Sequence, residues 1–588
     1  MLRARFAFFA AAGFVVATYA ISLAIMPKHV FWSPDEGAKL IQAETIRWNR
    51  GIEYEIPYAA RSTDPDLLLY PSRCRHNDIY PDPSRGEIRF HWPIWFPLAS
   101  KAAYRTFGVT GLYLLPLACG WLIAVAGGWL LRRRFPELSG VAVLLIGLAS
   151  PTFFYSLCFW EHTPASLLGI LALGWMARGQ PGDLSVWWVA GPLVALSIVL
   201  RVEMIAFGAA LIGGWSVQLW RFRTNVVSGS DVSRHTPRAL AIAAALVAAA
   251  VAVFLLVLTP RHWESEALFQ GFWIYTLRKA PALLDAAVAI LSNSPGHQAP
   301  IVAWYWEFLV LCAFLVCIAG AFVRQRAIQA LLLLPGLFVV VGFSVVLLSW
   351  PQPYISLHGF VPLAPYVALA PYGAMLAWRS RDPGLSLLAS TAGLYLLLGF
   401  GAIFVFFVRQ DGGYLTGLEW GTRNLLTLYP MAAILSLLAW VSWEPPGRWR
   451  ALERTLAAVL VVTVLLGMSF QVRGAQVLIQ SHRLVAEWQA ALPTDEPVVT
   501  DVWWLPAAMA PFFMQNPMLC ATESGILESW LRAAAELEVD TFTFASLDPI
   551  RAPQILAVAP DGIERRVSGL YLRRFRITDS ATRSHGQS

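Results

Sequence analysis

About thirteen stretches of this 588-residue chain are apolar enough to cross a bilayer as helices, and that constrains the fold more than any motif. A hydrocarbon core of ~30 Å takes about 20 apolar residues in a helix. The runs lie near 6–26, 111–131, 139–158, 162–177, 184–200, 202–220, 239–259, 301–323, 328–350, 360–378, 384–408, 425–443 and 453–472. What remains is mostly two polar segments, 27–110 and 473–588. Composition agrees, with 57% hydrophobic residues and 14% charged, where a soluble domain carries about 25% charged. A water-soluble globule is excluded, and so is disorder, because large apolar side chains abound. The expected fold class is an α-helical polytopic membrane protein of about 13 transmembrane helices. Its expected division is a membrane module over 1–472, including the first polar segment 27–110, and a small extracytoplasmic α/β domain over 473–588.

Lysine and arginine in short loops set orientation. Alternate loops carry Arg3/Arg5, Arg132–Arg134, Arg178, Arg221/Arg223/Arg234/Arg238, Arg324/Arg326, Arg379/Arg381 and Arg448/Arg450/Arg454. These are 17 basic residues against six acidic ones in the same loops. The N-terminus is therefore expected in the cytoplasm, with both large polar segments on the opposite face of a cell (inner) membrane. The first run follows a basic Leu2-Arg3-Ala4-Arg5 but is longer than a usual signal-peptide core, and no small-x-small cleavage site precedes Pro27, so it reads as a retained span. The net charge of +7 is accounted for by the basic loops and gives no argument for nucleic acid.

Ionisable groups at the outer ends of spans need a partner or a role. Ser33-Pro34-Asp35-Glu36 follows the first span. Structurally it is a helix start, with Ser33 as N-cap, Pro34 at N1 and Glu36 at N3, opening a helix through about Asn49. Leu40, Ile41, Thr45 and Trp48 would lay that helix amphipathically on the membrane surface. Functionally, a carboxylate held at that start can serve as general base toward an acceptor hydroxyl. Glu161-His162 is either a polar turn between spans or a site for acceptor hydroxyls or a metal, although one such pair is too little to define a metal site. Arg201 and Glu203 form an ion pair at a helix turn, or Arg201 neutralises a phosphate. Arg423, after Gly421, reads as a phosphate clamp or as an arginine snorkelling to lipid headgroups. His358 is a packed interfacial histidine or a ligand, and His91 and Lys101 are lesser candidates. The aromatic and basic loop 260–300 reads as an interfacial belt or a lid.

A first span followed directly by Asp35-Glu36 resembles the GT-C superfamily of polyprenyl-phosphate-sugar-dependent glycosyltransferases, which includes the protein O-mannosyltransferases and the aminoarabinose transferases of lipid A. Three further stretches are similar to the looser patterns of that family. They are Arg89-Phe90-His91-Trp92-Pro93-Ile94-Trp95-Phe96-Pro97, Ser150–Ser156 followed by Trp160-Glu161-His162-Thr163-Pro164, and Trp420-Gly421-Thr422-Arg423-Asn424 followed by Leu428-Tyr429-Pro430. The resemblance implies an integral membrane glycosyltransferase with Asp35 as the catalytic acid/base, Glu36 beside it, and inversion at the transferred sugar. It also implies a polyprenyl-phosphate-linked sugar donor and a lipid, glycan or protein acceptor. No nucleotide-binding glycine pattern is visible, and no cofactor is indicated, with a divalent cation left open. A transporter or flippase of lipid-linked saccharides is the alternative, as is a glycan polymerase or ligase. The chain shows no repeated halves, which disfavours transport.

In the C-terminal segment, 482–492 and 527–537 read as helices and 497–504, 541–545, 555–558 and 570–577 as strands. Asp501 reads as a strand-end cap rather than a site residue. Of the six cysteines, Cys74 and Cys520 lie in the two polar segments, where a disulfide is open to them.

Overall fold

A computed structural model of the chain describes residues 2–48, 52–65, 67, 69–70, 79–82, 87–90, 93–226, 301–323, 326–349, 360–409, 423–442, 450–521, 527–528, 530–531, 534, 539–549 and 558–577. The chain forms two compact units. One comprises Met1–Leu23 with Tyr113–Val477, the other Ala24–Leu112 with Leu478–Ser588.

The first unit is helical and apolar. Four helical stretches among the described residues are long and apolar enough to cross a membrane: Leu2–Ile25, Val109–Arg132, Leu332–Ser349 and Ala457–Ala491. Shorter apolar helices lie between them, among them Ser139–Leu148, His162–Met176, Trp187–Leu200, Pro383–Arg409 and Leu428–Val441. The expected span 239–259 and loop 260–300 lie outside the described residues. The first helix shows how the unit is built. Phe6, Phe9, Phe14 and Ile21 are exposed, as suits a lipid-facing side, while the opposite side buries Phe8, Ala11, Ala12, Val15 and Tyr19. The hydroxyl of Tyr19 donates to the Gly147 carbonyl at 2.8 Å, and the indole of Trp121 donates to the Ala12 carbonyl at 3.0 Å. These bonds satisfy both polar aromatic heads inside an apolar interior. Gly373 sits where Ala370–Arg379 meets Leu428–Val441, and a methyl group there would fall 1.7 Å from the Leu435 carbonyl oxygen. Only glycine permits that approach.

Two side-chain contacts tie distant segments of this unit together. Arg134 forms a bidentate pair with Asp382, with Nη2 to Oδ1 at 2.7 Å, and Arg221 donates to the Ser380 carbonyl at 2.9 Å. Each bond spans more than 150 residues of sequence.

The second unit joins the first polar segment to the C-terminal one. The helix Pro34–Thr45 runs into a hairpin of β1 (Ile46–Trp48) and β2 (Ile52–Tyr54), and a second hairpin pairs β3 (Ile79–Asp82) with β4 (Glu87–Phe90). The helix Trp95–Phe107 follows. A small mixed sheet lies in the C-terminal segment: β5 (Val498–Thr500), β6 (Met518–Cys520), β7 (Thr541–Ser546), β8 (Val558–Pro560), β9 (Arg565–Val567) and β10 (Leu570–Ile577). β5 runs parallel to β6 and β7 on either side, and β10 pairs antiparallel with β7, β8 and β9. The first segment is stitched onto this sheet. The Cys520 amide donates to the Leu69 carbonyl at 2.8 Å, the Trp530 indole to the Thr63 carbonyl at 2.9 Å, and the Phe31 amide to the Ala508 carbonyl at 2.8 Å. Tyr58, Tyr70 and Phe513 pack together with ring centroids 5.1–5.8 Å apart.

Two expectations from sequence are corrected here. The helix that opens at Ser33 ends at Thr45 rather than near Asn49, because Ile46–Trp48 leaves it to pair with β2. It is not an amphipathic surface helix, since Leu40, Ile41 and Thr45 are buried and so are the polar Glu36, Lys39 and Gln42. Residues 482–491 are helical as expected, as the end of one continuous helix, Arg450–Ala491, of 42 residues.

Candidate functional site

The Asp35 helix starts as its sequence dictates. Ser33 is extended, with φ −128° and ψ 139°, and its hydroxyl accepts from the Asp35 amide at 3.2 Å. Pro34 follows at N1, where its missing N–H costs nothing. The acidic pair then divides sharply by exposure. Glu36 is fully buried, and with Lys39 and Gln42 it lies at i, i+3 and i+6 along the helix. Asp35 is only partly buried, so of the two carboxylates it is the more exposed. The helix is seated closely at this end, since a methyl group on Gly37 would fall 1.6 Å from the Ala507 carbonyl oxygen.

A second cluster belongs to the helical unit and is built from the ends of three helices. Glu161 is the N-cap of His162–Met176, Arg201 is the C-cap of Trp187–Leu200, and Arg423–Leu425 form a short turn ahead of Leu428–Val441. Arg201 is the hub. Its Nη1 donates to Glu161 Oε1 at 2.7 Å and lies 3.3 Å from His162 Nδ1, and its Nη2 donates to Glu203 Oε1 and, at 3.2 Å, to Asn424 Oδ1. The side chains of Arg201 and Glu161 are 9% and 4% exposed, so this ion pair is held away from water and is stable only because several hydrogen bonds converge on it. The Arg423 guanidinium lies over the Trp160 ring at 5.0 Å, a cation–π contact. Tyr155 stacks on both Trp160 and His162, at 5.8 and 5.2 Å between centroids. The Tyr395 hydroxyl donates to the Asn424 carbonyl at 2.9 Å.

The structure thus brings together Glu161, His162, Arg201 and Glu203, with Arg423 and Asn424, from segments some 260 residues apart. Asp35 and Glu36 lie in the other unit. His91, His358 and Cys74 fall outside the described residues. Among the described residues no group of three or more His, Cys, Asp or Glu side chains is placed to hold a metal ion. Sequence reading missed Asn424 and Tyr395 as members of the cluster. Asn424 stood inside a quoted motif, but nothing in a single chain pairs it with residue 201.

Asp501 directly follows β5 and accepts from the Ser546 hydroxyl, at the end of β7, at 2.9 Å. Lost hydration pushes its carboxyl pKa up from 3.8, and the Ser546 bond pulls the other way. A carboxyl raised in the folded state favours folding fully below its unfolded value, and that contribution is lost as pH rises through the folded one. The contribution of this group to stability should therefore fall as pH climbs above about 4, and melting curves of wild type and Asp501→Asn should diverge in that direction as pH rises. A constant difference between the two would show that the carboxyl is as well solvated folded as unfolded.

No family model matches the chain, and no curated relative does. Solved structures do resemble it. ArnT from Cupriavidus metallidurans bound to undecaprenyl phosphate is similar at 13% identity and a TM-score of 0.44, over 96% of this chain and 97% of that one. The archaeal oligosaccharyltransferase AglB from Archaeoglobus fulgidus, in complex with an inhibitory peptide and a dolichol-phosphate, is similar at 14% identity and a TM-score of 0.36, over 90% of this chain and 69% of that one. These are similarities at low identity.

Proposed function

We propose that the protein is an integral membrane glycosyltransferase that moves a sugar from a polyprenyl-phosphate-linked donor to an acceptor outside the cytoplasm. Partly exposed Asp35, capped at the start of the helix that follows the first apolar one, while Glu36 is buried, is the observation that carries this reading. Nucleotide sugars are absent on that side of the membrane, so a lipid-linked donor fits the expected orientation, with the N-terminus cytoplasmic and about thirteen spans. The C-terminal segment is then an extracytoplasmic α/β domain.

In the reaction, the acceptor oxygen forms a bond to the anomeric carbon as its proton passes to Asp35. The bond from that carbon to the phosphate oxygen breaks, and its electron pair leaves with the polyprenyl phosphate. A base of this kind supplies about 10²–10⁴-fold in rate. The departing phosphate gains charge and needs a cation. Arg423 suits that role, with its guanidinium braced on Trp160 beside the cluster. Arg201 already serves two carboxylates, Glu161 and Glu203, and acts as the strut that holds three helix ends together.

Loss of a charge-assisted contact to phosphate costs about 1.5–3 kcal/mol. Arg423→Ala should therefore raise the KM for the lipid-linked donor by roughly ten- to a hundredfold while leaving the acceptor KM within about twofold. An equal loss on both substrates would argue against a phosphate ligand.

A further inference from the structure

The helix Pro34–Thr45 is held at both ends, and at its far end one side chain adds to the hairpin that continues it. Lys101, on Trp95–Phe107, sends its ammonium to the Ala43 carbonyl at 2.7 Å and the Ile46 carbonyl at 2.6 Å, with Glu44 Oε1 3.9 Å away. Its side chain is 9% exposed, so these two carbonyls replace the water that an ammonium would otherwise hold. They are orphan acceptors at a helix C-terminus and the turn after it, where a cation also suits the helix dipole. At the other end the Phe31 amide is tied to Ala508 and Gly37 lies against the Ala507 carbonyl. With the Gly37 contact as pivot, the helix rise of about 1.5 Å per residue puts Asp35 some 3 Å on one side and Ala43 about 9 Å on the other. A swing of roughly 2 Å at the Lys101 end therefore moves Asp35 by about 0.7 Å, and misplacement of about 1 Å can cost a hundredfold in rate.

We propose that Lys101 is a positioning residue for Asp35, locking the far end of the Asp35 helix through the carbonyls of Ala43 and Ile46. The inference rests on the reading of Asp35 as the base.

The test uses the full-length protein with Asp35→Asn, Lys101→Met and Lys101→Arg side by side. Lys101→Met should lower kcat about five- to tenfold at an unchanged donor KM and should release amide exchange in residues 42–48. Lys101→Arg, which keeps a cationic donor, should recover at least half of the wild-type kcat. If Lys101→Met does not accumulate, Lys101→Gln, which keeps a neutral donor, is measured in its place with the same expectations. Full kcat in the neutral variant beside an inactive Asp35→Asn would overturn the positioning role and leave the base intact. An active Asp35→Asn would overturn the base itself, whatever the exchange data show. A loss of folded protein with normal kcat per folded molecule in both neutral variants would reduce Lys101 to a stabilising residue and refute the proposal.

Discussion

Asp35→Asn should yield a folded, membrane-inserted protein in which sugar transfer falls by at least a hundredfold. The substitution preserves shape and leaves the capping of the helix to Ser33, whose hydroxyl accepts from the backbone amide of residue 35 and not from its side chain. What it removes is proton affinity. An amide cannot take the acceptor proton, and removal of a general base costs about 10²–10⁴ in rate. Because Asp35 is only partly buried and contributes no large apolar area, stability should change little. Transfer from a polyprenyl-phosphate-linked sugar in proteoliposomes, normalised to folded protein, reads the result. Activity within a fewfold of wild type would remove Asp35 from the chemistry. Glu36→Gln is a useful contrast. Glu36 is fully buried, so its effect should appear chiefly as lost folded protein.

Arg201→Met should act in the opposite sense, on stability first. Its guanidinium is the shared partner of Glu161 and Glu203 and also reaches Asn424. Removing it leaves the Glu161 carboxylate, 4% exposed, without its cation in a region of low dielectric. Breaking one side of a buried ion pair costs about 3–5 kcal/mol, mostly the penalty of the charge left behind. The detergent-solubilised variant should melt well below wild type, and Glu161→Gln in the same chain should recover part of the loss by removing the stranded charge. An unchanged melting temperature would mean that the pair is not enclosed as described.

Local features of the sequence were readable because their causes are local. Ser33-Pro34-Asp35-Glu36 encodes a helix start within four residues, and the helix begins at Pro34. Val498–Thr500, Thr541–Ser546 and Leu570–Ile577 are apolar, β-rich runs, and each is a strand. Features set by distant partners were not readable. Ile46–Trp48 continues the helical pattern of what precedes it and leaves the helix only because Ile52–Tyr54 offers a ladder. Periodicity marked Leu40 and Ile41 as apolar but could not say whether lipid or the C-terminal segment would cover them. Contacts such as Phe31 with Ala508 decide that, across more than 470 residues of chain. The Arg201 cluster was half legible. Adjacency suggested Arg201 with Glu203 and Glu161 with His162, and only the fold joins the two pairs through one guanidinium.

The central claim is that the protein takes a sugar from a polyprenyl-phosphate carrier, and native mass spectrometry of the full-length protein tests it most directly. Wild-type protein purified gently from membranes, or incubated with undecaprenyl phosphate, should carry one such lipid per chain, and Arg423→Ala should lose it at the same lipid concentration. A chain that binds no polyprenyl phosphate above the level of an ordinary anionic phospholipid, with wild type and Arg423→Ala indistinguishable, would contradict the account.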